Sequence, residues 1–258
     1  MYAIINVFKM HIIYCFITRA ISNILIEISL KGDGCMEWIN NVGYAYEHVA
    51  NLGDKWIPKD TTYVNPDFQM PQSINGEQLI AVGTDGFACN QRLKFFNANP
   101  ANDLYLMERS FANCENLEAI NLNGNLNKTS VHLYSHTFCS CHSLKSVQSI
   151  RPTYFYGSQQ FANCASLETV DLRVMDKIPG GCFWKCRKLK KARFSHFGEI
   201  HIADNAFSKC IALEELTFYG SVKASELLLN QLKNVLIRCP GTSNLAELAY
   251  QGWKIEIF

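Results

Sequence analysis

The sequence predicts an α/β repeat solenoid in which units of nearly constant length stack along one axis. The first observation is a repeated phrase: Phe, then Cys three residues later, then Leu after three more. Intact copies begin at Phe111, Phe138, Phe161, Phe183 and Phe207, and a degraded copy at Phe87 has Asn90 in place of Cys. The six phenylalanines are 22 to 27 residues apart, an interval typical of stacked repeats.

The second observation is that the copies continue as Leu-x-x-apolar-x-apolar, the strand pattern of a leucine-rich repeat, with Ser149 in the last position of the Phe138 copy. In the copy that begins at Phe111 we expect Leu117, Ile120 and Leu122 to face the core, while the residues between them line a concave surface. One such unit cannot bury its apolar edge without a neighbour. The pattern therefore predicts a leucine-rich-repeat horseshoe with one short parallel strand per repeat.

The Phe-x-x-Cys-x-x-Leu core resembles that of BspA-like leucine-rich repeat proteins. The resemblance covers about Leu79 to Phe258. It implies a non-enzymatic protein-interaction module that binds a partner on its concave strand face, with a role in adhesion or surface contact outside the cell.

Two end segments flank the predicted repeats, which we place at residues 79–239. At the C-terminus, residues 240–258 are expected to form a helix/strand cap. In this cap Thr242 or Ser243 would start a helix that ends at Gly252. Trp253 to Phe258 alternates as a closing strand.

The N-terminal part gives weaker patterns. Residues 1–35 are apolar but interrupted by charges, which excludes a transmembrane span of about 18 residues. Three alternatives stay open for them: a short signal peptide, a cap strand, or a non-native extension upstream of Met36. Residues 36–78 are expected to form an N-terminal cap and irregular link, with an amphipathic helix over Glu37 to Asn51 and no regular structure from Gly53 to Gly76.

Five of the eleven cysteines occupy the same position in successive repeats. In-register side chains about 4.8 Å apart do not meet the twisted geometry that a disulfide needs. We therefore expect a structural thiol column of buried, reduced side chains whose S–H groups reach loop carbonyls. The column consists of Cys114, Cys141, Cys164, Cys186 and Cys210.

A metal or redox site is the alternative from another class of protein. His136, Cys139, Cys141 and His142 crowd into seven residues, with Cys182 and Cys186 further along. Their spacings differ from the paired Cys-x-x-Cys of most zinc sites, and two of the thiols are already required by the column. No phosphate loop, nucleophile elbow or metalloprotease helix occurs in the sequence. We expect neither catalysis nor a cofactor.

The concave surface is where we expect a protein partner to bind. Its central positions change from amides in the first repeats to charges in the later ones. The binding patch that we predict consists of Asp171, Arg173, Lys191, Arg193, Glu215 and Tyr219. Arg and Tyr are frequent interface anchors, and the charges beside them can orient a partner.

The remaining electrostatic feature is a basic run from Lys185 to Arg193, with six cations within nine residues. The repeat pattern places Lys191 and Arg193 on the concave side. It places Lys185, Arg187 and Lys188 on the loop and convex side. A solvated surface, an acidic protein partner and a nucleic acid are the three interpretations. The net charge of +1 argues against nucleic acid, and we expect a monomer. The resemblance implies the cell surface or secretion, whereas reduced cysteines and the lack of a clear signal peptide favour the cytoplasm, so the compartment stays open.

Overall fold

The computed structural model of the protein describes residues 36–49, 52–99, 102–122, 130–196, 198–245 and 253–258. The segment 1–35, for which three alternatives were open, lies outside the described residues. The same holds for residues 246–252, which include most of the expected C-terminal helix. Among the described residues, no helix is long and apolar enough to cross a membrane.

The described chain begins with a three-stranded antiparallel sheet instead of the helix expected over Glu37 to Asn51. Its strands are β1 (Met36–Ile39), β2 (Val42–Val49) and β3 (Gly53–Asp60). Asn40 and Asn41 form a two-residue turn with φ of 52° and 63°, the left-handed backbone that asparagine tolerates and tight hairpins require. The expected irregular link from Gly53 is also wrong over β3, which pairs with β2.

The remaining elements of the described residues are one helix and seventeen strands of two to ten residues. They are β4 (Asp67–Gln69), β5 (Ser73–Ile74), β6 (Glu77–Gln78), β7 (Ala81–Val82), β8 (Phe95–Asn97), β9 (Leu104–Leu106), β10 (Ala119–Asn121), β11 (Val131–Leu133), β12 (Ser146–Phe155), β13 (Thr169–Val174), β14 (Lys177–Ile178), β15 (Lys191–Ser195), β16 (Glu199–Ile202), β17 (Glu215–Phe218), β18 (Ser221–Lys223), α1 (Glu226–Gln231), β19 (Leu236–Cys239) and β20 (Ile255–Ile257).

The main ladder is the parallel strand layer that the sequence predicts. Its order is β4, β8, β10, β12, β13, β15, β17, β19 and β20, and neighbouring strands are parallel. The leucine-rich-repeat solenoid is thus confirmed. At its end β20 pairs with β19 where the closing strand was expected.

A second ladder, which the sequence did not predict, runs along another side of the solenoid. It joins β7, β9, β11 and the C-terminal half of β12, and it is followed by a separate parallel sheet of β14, β16 and β18. The strand β12 belongs to both ladders because it is ten residues long, so that its first residues pair with β10 and its last ones with β11. Its register with β13 shifts between Ser149 and Pro152. A repeat therefore contributes two strands.

The core follows the repeated phrase. The six phenylalanine rings of the phrase stack from one repeat to the next with centroids 5.1–5.5 Å apart. A turn holds each ring, and in the first five copies the residues two before and two after the phenylalanine have positive φ. The Phe138 turn, for example, has φ of 58° at His136 and 61° at Ser140.

The residues directly after the leucines of the phrase form a column on the solvent side in which positive and negative charges alternate. We call it the alternating column. Its residues are Lys94, Glu118, Lys145, Glu168, Lys190 and Glu214. Each backbone N–H donates to the carbonyl of the preceding member at 2.8–3.2 Å, so the members are direct neighbours. The Lys145 ammonium lies 2.7 Å from the Glu118 carboxylate. Opposite charges on neighbouring strands stabilise their pairing.

The last repeat replaces its phenylalanine turn with α1. Ser225 is the N-cap, and its side chain accepts a hydrogen bond from the Leu228 N–H at 3.1 Å. Such a cap satisfies one of the free donors at a helix start. Leu228 and Leu229 are buried, so the helix adds its leucines to the hydrophobic core.

Candidate functional site

The concave surface is formed by the outward residues of the main ladder. One register position carries Phe95, Ala119, Ser146, Thr169, Lys191 and Glu215. The next outward position carries Asn97, Asn121, Gln148, Asp171, Arg193 and Thr217. These are the columns expected from the repeat pattern.

A third outward column, two residues further along each strand, departs from the count along the repeat at β12. Counting along the repeat places Ile150 beside Arg173, but the partner of Arg173 in the ladder is Pro152. The two extra residues follow from the register shift after Ser149. On the other side Arg173 pairs with Ser195 as expected.

The structure places the six predicted patch residues on β13, β15 and β17 or directly after them. Asp171, Lys191 and Arg193 are exposed, and Arg173 and Glu215 are half-buried. Tyr219 follows β17 and is 56% exposed. Asp171 is the register partner of Arg193, and Lys191 is the partner of Glu215. Opposite charges thus lie side by side on neighbouring strands.

Glu215 is the centre of an ion-pair network that extends beyond the predicted patch. Its carboxylate lies 3.3 Å from the Lys191 ammonium and 3.1 Å from the Arg238 guanidinium. Partial burial raises the pKa of Glu215, but hydrogen bonds from Thr217 and Lys191 and the nearby cations outweigh this, so its pKa lies below the ordinary value. Glu215 therefore stays ionised and fixes its neighbours.

Arg193 differs from Glu215 because its charge is not neutralised by a direct contact. Within the part of the chain that the structure describes, no acidic group forms an ion pair with Arg193, although the exposed Asp171 is next to it in the register. A guanidinium presented in this way has five donors available for a partner.

The predicted patch lacks two charged residues of the site, Arg238 and Glu256. Arg238 occupies the column of Arg193 and Thr217, and Glu256 follows it on β20. Their side chains pair at 2.9 Å. Tyr219 also has a neighbour there, since its ring centroid is 6.1 Å from that of Phe258. Continuing the column count through the last predicted strand would have found Arg238.

The first half of the concave surface is amide-rich, as expected. The Asn97 side chain donates to the Asp67 carboxylate at 2.8 Å. Phe95 is 39% exposed there. This half carries fewer charges than the patch around Arg193.

The five cysteines of the thiol column share one contact. Each thiol donates to the carbonyl of the phenylalanine that starts the preceding copy, at 2.9–3.1 Å. Asn90 makes a comparable contact, because its amide donates to the Thr61 carbonyl at 2.7 Å, and its side-chain oxygen also accepts from the N–H groups of Arg92 and Leu93. Burial raises the pKa of Cys114 and of Cys210 to about 12 and raises those of the other three thiols as well.

These thiols should resist a maleimide or iodoacetamide reagent in the native protein, since the thiolate is the reactive form. Cys89 is exposed and should be labelled at least tenfold faster than Cys164. Mass spectrometry of the labelled peptides measures both rates in one sample. Labelling of Cys164 as fast as Cys89 without denaturant would contradict the buried column, and denaturant should make the rates similar.

The Cys/His group that suggested a metal site makes other contacts. Among the described residues, no three His, Cys, Asp or Glu side chains are arranged to hold a metal ion. The His142 ring contacts the Asn163 amide at 3.0 Å, and the Cys139 sulphur lies 3.7 Å from the Ser140 hydroxyl.

A group of aromatic side chains on the second ladder was also missed. Tyr105, His132 and Tyr154 are register partners, and the histidine ring stacks between the tyrosines at 4.3 and 5.1 Å. Tyr134 and Tyr156 stack beside them at 4.9 Å. The His132 imidazole lies 3.5 Å from the Asp103 carboxylate. These residues lie outside the repeated phrase, so the phrase gave no indication of them.

The ladder of parallel strands, with its stacked repeats and concave surface, defines a leucine-rich-repeat solenoid protein. A profile of the BspA type leucine-rich repeat region matches residues 44–136 and 105–228, with six copies. The chain belongs to this family. No curated protein is similar enough in sequence to count as a match.

Three solved bacterial structures are similar to the chain. The pneumococcal vaccine antigen PcpA aligns with 88% of this chain and 48% of its own, at 14% identity and a TM-score of 0.51. The leucine-rich repeat protein TpLRR of T. pallidum aligns over 83% and 95%, at 18% identity and 0.48. A leucine-rich cell surface protein of Faecalibacterium prausnitzii aligns over 76% and 41%, at 18% identity and 0.41. At these identities the likeness concerns the fold alone.

Proposed function

We propose that the protein is a non-enzymatic interaction module that binds a protein partner on its concave surface, at the patch around Arg193 and Tyr219. The observation that carries this proposal is the exposed Arg193 guanidinium without an ion pair among the described residues, on the same surface as a tyrosine that is 56% exposed. Both residue types are frequent anchors of protein interfaces.

The surroundings of the two anchors support a rigid site. Glu215 ties Lys191 on β15 to Arg238 on β19, so charged side chains on three neighbouring strands are held in place. Strand residues of a packed solenoid also lose little conformational freedom on binding, which lowers the cost of association. Complementary charges then favour one orientation of the partner.

Adhesion or surface contact is the biological role that the family resemblance favours. An intracellular scaffold is the second candidate, because a column of reduced, buried thiols is typical of proteins from reducing compartments. A Cys/His metal or redox protein would be revealed by elemental analysis of the purified protein. Cell fractionation with sequencing of the mature N-terminus separates the first two roles.

Arg193→Ala and Tyr219→Ala should each weaken binding of the partner about tenfold or more, which is the effect expected for an interface anchor. The partner is captured from an extract on immobilised protein, purified and titrated by calorimetry. Both variants should unfold within about 0.5 kcal/mol of the parent, as surface changes do.

Gln148→Ala is the matched control, since Gln148 occupies the same column as Arg193 two strands away. It should bind as the parent does. If Gln148→Ala weakens binding and the other two variants do not, the site lies on the amide-rich half with Asn97 and Asn121.

A further inference from the structure

The turn side of the solenoid carries four cations on two adjacent repeats. Lys185, Arg187 and Lys188 follow Phe183, and Lys209 follows Phe207. Arg187, Lys188 and Lys209 are exposed, and Lys185 is half-buried. We call these four residues, together with Trp184 and Ile211, the basic turn patch.

Backbone contacts fix the two repeats side by side. The Lys185 N–H donates to the Ser208 carbonyl at 3.0 Å, and the rings of Phe183 and Phe207 stack beneath with centroids 5.4 Å apart. Lys185 and Lys209 hold the same turn position, with φ of 60° and 65°. The fold therefore brings their like charges together.

Both ammonium groups approach one indole ring. The Lys185 Nζ lies 4.1 Å and the Lys209 Nζ 5.8 Å from the centroid of the Trp184 ring. A cation near an indole face is attracted by its π electrons. Trp184 thus holds two cations in place where their mutual repulsion would separate them.

No carboxylate neutralises this cluster. Throughout the described ranges, none of its four cations forms an ion pair within 4.0 Å, whereas Lys191 pairs with Glu215 and Lys145 with Glu118. Lys190, in the same basic run, lies between Glu168 and Glu214 in the alternating column. The charge of the basic turn patch is therefore uncompensated, and an anionic partner would relieve the repulsion.

An exposed aliphatic side chain lies beside the cations. Ile211 is 82% exposed and holds the position in its repeat that Arg187 holds in the preceding one. The surface thus combines positive charge with an apolar contact that is available to a ligand.

We propose that the basic turn patch binds an acidic protein segment in which an aliphatic residue lies among the carboxylates. Nucleic acid would need aromatic faces open for base stacking, but lysines cover the Trp184 ring. A membrane surface would need a broad apolar face, and Ile211 provides a single side chain. This site is separate from the concave surface and does not depend on its function.

The test uses a fluorescein-labelled peptide with alternating Glu-Glu and Leu, titrated by anisotropy against the full chain at about 50 and 150 mM salt. Saturable binding that weakens at higher salt is expected. A peptide with Gln in place of Glu should lose binding, and one with Ala in place of Leu should bind about threefold more weakly. Ile211→Ser should show the same threefold loss with the Leu peptide.

A charge variant replaces the four cations of the patch by Gln, and a matched control variant removes four exposed lysines elsewhere. The control substitutions are Lys94→Gln, Lys177→Gln, Lys223→Gln and Lys254→Gln. The patch variant should bind the peptide about tenfold or more weakly, and the control within about twofold of the parent. Circular dichroism establishes that both variants are folded.

The proposal is overturned by any of three results. The first is equal weakening in the two charge variants, which would mean that net charge alone attracts the peptide. The second is tighter binding to a single-stranded oligonucleotide or to phosphatidylserine vesicles than to the peptide. The third is no saturable peptide binding at the lower salt concentration.

Discussion

Phe138→Ala should lower the free energy of unfolding by about 3–5 kcal/mol, the usual cost of removing a buried aromatic ring. The ring is fully buried and stacks on Phe111 at 5.1 Å and on Phe161 at 5.3 Å. Its removal leaves a cavity between the repeats that begin at Phe111 and Phe161. Because each repeat of a solenoid is stabilised by its neighbours, the loss affects both of them. Urea unfolding at neutral pH, followed by far-ultraviolet circular dichroism, measures the loss.

Phe95→Ala is the matched control because it removes the same atoms from the concave surface. Phe95 is 39% exposed, so the change should cost about 1 kcal/mol or less. An equal loss for the two variants would show that the stacked rings do not carry the stability of the solenoid.

Alkaline pH should destabilise the protein strongly. Burial raises the pKa of Cys114 and of Cys210 to about 12, while a thiol in the unfolded chain titrates near 8.5. Between these values the unfolded chain releases protons that the folded protein keeps, so stability is complete below about pH 8.5 and falls as pH rises toward 12. At pH 10 each of these two thiols should cost about 2 kcal/mol.

Urea unfolding at pH 8 and pH 10, with a phosphine reductant throughout, measures this loss. The double variant Cys114→Ala and Cys210→Ala should reduce the difference between the two pH values by about 4 kcal/mol. Cys89→Ala is the control, since Cys89 is exposed, and it should leave the difference unchanged. A pH dependence that is the same in all three proteins would contradict a contribution from the buried column.

The main ladder was predictable because one phrase fixes both its period and the direction of each side chain. Once Leu117, Ile120 and Leu122 are assigned to the core, the concave columns follow by counting. The count fails at β12, where the register shifts between Ser149 and Pro152. The sequence indication of this irregularity is Ser149 itself, which stands where the other copies have an apolar residue.

The second ladder was not predictable from the phrase. Tyr105, His132 and Tyr154 lie in segments whose length and composition vary between repeats, so their alignment arises from the stacking itself. The N-terminal sheet was missed for another reason. Apolar residues at Val42, Ala45 and Val49 fit a helical period, but the Asn40–Asn41 pair favours a hairpin turn, and the pairing of β2 with β3 decides the outcome.

Within the site, residue types could be predicted but partnerships could not. Arg193 and Tyr219 were selected as anchors from their chemistry and column positions. The sequence did not reveal that Glu215 is shared between Lys191 and Arg238, because a position in a column does not determine which of its neighbours a side chain contacts. The structure therefore divides the predicted patch into a fixed part around Glu215 and an available part at Arg193 and Tyr219.

The alternating column sets a rule for how such a protein can change length. Lys94, Glu118, Lys145, Glu168, Lys190 and Glu214 change sign at every step, so the unit that repeats without conflict is two copies long. Excision of a single internal copy would bring two like charges together on neighbouring strands, which is destabilising, whereas excision of two copies would restore the alternation. Gene duplications or deletions in pairs keep the charges along this edge alternating, whereas single ones place two like charges side by side.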